Sequence, residues 1–115
     1  MRILLAMLSC AAMLATSGVT RADASSEEEA IRNVFAAFKN AWDQPGMPGF
    51  ETLFTEDADF VVITGKWLKG LDEIVSYHHE LLRGKYAGSR TLPYSVAARF
   101  LTSEIAIVHV ATGAR

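Results

Sequence analysis

Apolar residues recur at helical spacing through the segment SSEEEAIRNVFAAFKNAW, where Ile31, Val34, Phe35, Phe38 and Trp42 fall on one wide face. Ser26 with Glu29 three residues on has the form of a capping box, and Glu27 and Glu28 suit the positive end of a helix. The pattern predicts a helix that starts at Ser26. Its aromatic stripe fits plain core or the lining of a pocket, and different rings can serve each. Asp43-Gln44-Pro45-Gly46-Met47-Pro48-Gly49 ends the helix, because Pro and Gly cannot continue it. Phe50, Leu53 and Phe54 then form the buried side of a short helical turn.

The stretch from Phe54 to Leu82 organises the rest. After the polar turn Thr55-Glu56-Asp57, the segment Ala58–Thr64 alternates as a strand, with Phe60, Val62 and Thr64 on one face and Asp59, Val61 and Ile63 on the other. Both faces are mostly apolar, which predicts a strand covered on both sides or touching another subunit. Gly65-Lys66 turns the chain, Trp67-Leu68-Lys69 is a brief second strand, and Gly70 opens a helix. Asp72 and Glu73 at its start and Arg83 at its end match the helix dipole, and Gly84 stops it. Leu71, Ile74, Val75, His78 and Leu82 share one face, so His78 points toward the core and His79 away from it. Two further strands follow, Leu92–Leu101 and Ile105–Thr112, joined by Thr102-Ser103-Glu104; Ile105, Ile107, His109 and Ala111 share a face in the second.

Chemistry-bearing patterns are few. There is no nucleophile elbow, phosphate-binding glycine loop or dinucleotide fingerprint, so no cofactor is implied. Adjacent His78 and His79 diverge by about 100 degrees on a helix, whereas zinc-binding pairs sit at i and i+4; no metal site is expected. His78 has two readings: a core histidine holding a backbone carbonyl, or a general acid, base or ligand anchor that titrates near neutral pH. His109 has the same two readings, with its face left open. Asp59 reads as a solvated carboxylate beside a turn, and Trp42 and Trp67 as rings for a flat ligand or anchors at a pocket rim or dimer seam.

Composition changes the picture mainly at the N-terminus. Met1-Arg2, the apolar run Ile3–Ala15 and the small-x-small site Ala22-Asp23-Ala24 read as a secretory signal peptide over residues 1–24, leaving one domain over 25–115. The run falls short of the ~20 residues of a membrane span, so no stable span is expected after signal removal. The expected location is periplasmic or secreted. Cys10 is the only cysteine and lies in that leader, so the mature domain would have no disulfide and would depend on core burial. A net charge of -2 without a basic patch excludes nucleic acid as a partner.

Taken together, LFTEDADFVVITGKWLKGLDEIVSYHHELL behind a capped helix, and strands ending RFLTSEIAIVHV, resemble the nuclear transport factor two-like superfamily. Within it the cues are similar to the SnoaL-like group, especially SgcJ/EcaC-type proteins: Phe54 with Glu56 through Phe60, Gly65 with Trp67, Gly70 with Ile74 and His78, then Ser89, and Phe100 through His109. The resemblance implies an α+β, cystatin-like cone, with a curved mixed or antiparallel sheet wrapped around the long first helix and enclosing an apolar cavity. It also implies a homodimer formed through the sheet's outer face. Members range from ketosteroid isomerases to non-catalytic assembly domains, so the fold does not fix a reaction. Alignment with the isomerases puts Val62 at their general-base aspartate and Phe35 at their oxyanion-binding tyrosine, and neither substitute can do that chemistry. Members continue through two more strands. This sequence ends before them, and the expectation is a C-terminally truncated domain whose last strand is an open edge.

Two functions follow. The first is an exported domain binding a small apolar molecule, either catalytic or not, with His78 as its polar group and Phe35, Phe38, Phe60, Val62, Thr64, Trp67 and His109 lining the pocket. The second is a non-catalytic dimerisation or binding module whose core is filled by Phe35, Phe38 and Trp67.

Overall fold

A computed structural model describes residues 21–115. In chain order it contains helix α1 (Arg21–Trp42), a 3-10 helix (Phe50–Leu53), strands β1 (Asp59–Val61) and β2 (Trp67–Lys69), helix α2 (Leu71–Arg83), and strands β3 (Ser95–Phe100) and β4 (Ala106–Ala111). The class is α+β. The signal peptide expected over residues 1–24 lies almost wholly outside the described residues.

Helix α1 is already helical at Arg21, the first described residue, ahead of the predicted start at Ser26. Ser26 and Glu29 therefore stand inside the helix, and the capping-box reading is corrected. Ala22 and Ala24 are strong helix formers, and once a turn exists each added residue extends it easily.

The first hairpin is tighter than its apolar run suggested. β1 pairs antiparallel with β2, with Asp59 opposite Lys69, Phe60 opposite Leu68 and Val61 opposite Trp67. Gly65, at a φ of 84° that favours glycine, lets its N–H donate to the Val62 carbonyl at 2.8 Å, while the Val62 N–H donates to the Lys66 carbonyl at 3.0 Å. Ile63 and Thr64 thus belong to the turn, not to a strand running to Thr64. Burial is one-sided: Val62 is 8% exposed, whereas Val61 is 65% and Ile63 94% exposed. The expectation of cover on both sides is not met within the described residues.

Gly70 fixes how α2 leaves the hairpin. Its φ of 81° and ψ of 162° are open to glycine alone, and a Cβ there would lie 3.3 Å from the Glu56 carbonyl oxygen. The Gly70 and Leu71 N–H groups donate to Ala58 and Glu56 carbonyls at 2.8 and 3.0 Å, tying the start of the helix to the segment before β1. The core then assembles where α1, the 3-10 helix, β1–β2 and α2 meet: Ala41, Met47, Phe50, Val62, Leu68 and Ile74, with Phe38, Phe54 and Phe60 packed against them.

β3 and β4 form a second antiparallel hairpin, in register from Ser95–Ala111 to Phe100–Ala106. It is a separate two-stranded sheet from β1–β2, and every ladder in the described residues is antiparallel. At its base the Arg90 N–H donates to the Arg115 carbonyl and the Leu92 N–H to that of Gly113, each at 2.8 Å. Asp43, just past α1, accepts from the Thr91 N–H at 2.7 Å and from its hydroxyl at 3.0 Å, joining this hairpin to the first helix.

Candidate functional site

Between α1, the inner face of β1 and α2 lies an open cavity of about 560 Å³, within the range usual for small-molecule pockets. Helix α1 supplies Phe38 and Trp42, and β1 with its turn supplies Phe60, Val62 and Thr64. From α2 come Tyr77, His78 and Leu81, followed by Lys85 and Tyr86. The period of each element makes this wall. Phe60 and Val62 alternate onto one face of a strand, and Phe38 and Trp42 lie one turn apart.

His78 is 3% exposed, on the core side where helical spacing puts it. Its Nδ1 lies 2.7 Å from the Ile74 carbonyl oxygen, which can only accept, so Nδ1 carries the proton. The rings of Phe60 and Phe50 pack around it, at centroid distances of 4.9 and 5.0 Å. Nε2 has no protein partner, and among the described residues no fully buried side-chain nitrogen or oxygen lacks one. Nε2 therefore keeps some solvent access, on a side chain that lines the cavity. Burial pushes the imidazole below its ordinary 6.5; the bond to Ile74 opposes this, and the charge of His79 adds to the lowering. At neutral pH the site thus presents an unprotonated nitrogen, able to accept a hydrogen bond or a proton.

The cavity gathers Phe38, Phe60, Val62, Thr64 and His78 from the sequence-predicted set. Phe35 lines a different, almost wholly apolar groove of about 420 Å³ with Val108 and Val110 of β4, and its ring meets Tyr94 edge-on at 4.6 Å. Phe38 and Phe60 line both spaces. Trp67 and His109 line neither, which corrects their assignment. Trp67 is 54% exposed because its strand position faces outward, where Nε1 donates to Asp59 at 2.9 Å and Lys69 lies over the ring at 4.3 Å. His109 stands opposite Ala97 on the exposed side of β4, whereas Val108 and Val110 turn toward α1.

Tyr77, Leu81, Lys85 and Tyr86 were not anticipated. The signal was present: Tyr77, Leu81 and Lys85 recur every four residues, a stripe beside His78. A third hollow of about 460 Å³, near Asp43, His79 and Arg90, is held by structural bonds. Asp43 binds Lys39 and Thr91, and Arg90 donates to the Asp43 carbonyl at 2.5 Å. Among the described residues no cluster of His, Cys, Asp and Glu could hold a metal, and no helix is long and apolar enough to cross a membrane.

No family model matches the sequence, and no curated protein matches it. Among solved structures, the chain is similar to a domain of unknown function with a cystatin-like fold from Nostoc punctiforme PCC 73102. The TM-score is 0.72 at 30% sequence identity, covering 79% of this chain and 56% of that one. The fold is cystatin-like. This chain therefore spans little more than half the length of that relative. In the part of the cystatin-like fold described, the cavity sits between the helices and the inner face of the first hairpin.

Proposed function

We propose that this chain is an exported small-molecule-binding domain of the SnoaL-like type, within the nuclear transport factor two-like superfamily, and that the 560 Å³ cavity is its ligand site. The observation that carries the reading is His78, a nearly buried, neutral histidine whose Nε2 is left without a protein partner in the lining of a largely apolar and aromatic cavity. Such a group orients a ligand by accepting from its O–H or N–H, and in an enzymatic version of the site it is the general base. Val62 and Phe35 offer neither a base nor a hydrogen-bond donor, so the proposal does not include steroid isomerisation. Export rests on the composition of residues 1–24. Homodimerisation belongs to the same reading and is supported by the exposed Ile105 and Ile107. The alternative is a non-catalytic dimerisation or binding module whose core is filled by Phe35, Phe38 and Trp67; of these three rings, Trp67 is exposed.

A thermal-shift screen of small apolar compounds, run on the wild type and on His78→Ala, tests the reading. Compounds that raise the melting temperature of the wild type should bind the variant about tenfold more weakly, the loss expected for one hydrogen bond. Unchanged binding together with unchanged stability in His78→Ala would remove the functional role of His78.

A further inference from the structure

We propose that the ligand of this cavity is an aromatic organic acid whose carboxylate is held by Lys85, an inference that rests on reading the cavity as a ligand site. Rings supply much of the wall, among them Phe38, Trp42, Phe60, Tyr77 and Tyr86, and flat faces of this kind favour a flat ligand. The charge of the lining has one sign. Lys85 is its charged side chain, and no Asp or Glu borders the cavity.

Lys85 has no carboxylate partner among the described residues, where the ion pair is Lys39–Asp43. Its Nζ lies 5.7 Å from the centroid of Tyr86, which places the ammonium beside the aromatic wall. Rings alone would also suit a quaternary ammonium, but such a ligand would meet Lys85, a charge of its own sign. A neutral ligand gains at most an ordinary hydrogen bond from Lys85. A carboxylate gains a charge-assisted one, while neutral His78 presents it with no opposing negative charge.

Isothermal titration of the full chain with 2-naphthoate and with its neutral isostere 2-naphthalenemethanol tests this. The acid should bind more tightly at low salt, by up to about fivefold, the upper end for an exposed ion pair, and the advantage should vanish near ~1 M salt. Lys85→Gln should bring the acid to the level of the alcohol in the same variant, and Lys85→Arg should keep the preference. If both probes bind the wild type equally and Lys85→Gln alters neither, the acid preference is overturned and the cavity remains a ligand site. If neither probe binds the wild type, the cavity as a ligand site falls and this inference falls with it.

Discussion

His78 joins the stability of the chain to its proposed use. Its folded-state imidazole titrates below 6.5 because burial penalises the charged form, so the unfolded chain binds more protons between the folded value and 6.5. The stability it contributes is fully present above about pH 6.5 and is lost as pH falls through the folded value. Melting temperatures taken from about pH 8 down to pH 5 should decline on acidification, and His78→Gln should flatten that decline. Asp43 acts in the same direction at lower pH. Burial raises its carboxyl, but the bonds from Lys39 and Thr91 outweigh this and hold it below 3.8, so its contribution is present above that value and lost as pH falls through the folded one. Asp43→Ala would leave the Thr91 N–H and hydroxyl without their acceptor. A loss of about 1–2 kcal/mol is expected by urea denaturation.

Among the elements, the first hairpin and α2 depend on one backbone position and one ring. Gly70 lies in a region closed to side chains and a Cβ there would press on the Glu56 carbonyl, so Gly70→Ala should cost about 1–3 kcal/mol in chemical denaturation. Phe50 is completely buried and touches Phe38, Phe54 and His78. Phe50→Ala should cost about 3–5 kcal/mol and loosen the wall behind His78. A His78 titration moved toward 6.5 in that variant, followed by proton NMR, would register the loosening.

Across the whole molecule, burial is uneven. The core joins α1, the 3-10 helix, β1–β2 and α2, whereas β3–β4 contributes only Val96 to the buried residues among those described. Amide hydrogen exchange should therefore be slowest in α2 around Ile74 and His78, and distinctly faster in β3 and β4. Equal protection in both hairpins would contradict this division. The hairpin's attachment through Asp43 and Thr91 also couples it to α1, so Asp43→Ala should speed exchange in β3 and β4 more than in α2.

Periodicity by itself determined α2 from Leu71 to Arg83 and the core-facing side of His78, because a 3.6-residue repeat with charged ends has one stable way to lie on a core. It also placed Phe60 and Val62 together, since a strand sends alternate side chains to the same face. Local pattern is silent about partners distant in sequence, and the remainder turned on those. The cavity exists because Tyr86 and Lys85 come beside Phe38 and Val62, a meeting set by the path of the chain after Gly84. The sequence leaves the face of His109 open and allows Trp67 either a pocket or a rim position. Only the register of each hairpin decided that they face outward, since in a strand one residue's shift of register reverses every side chain.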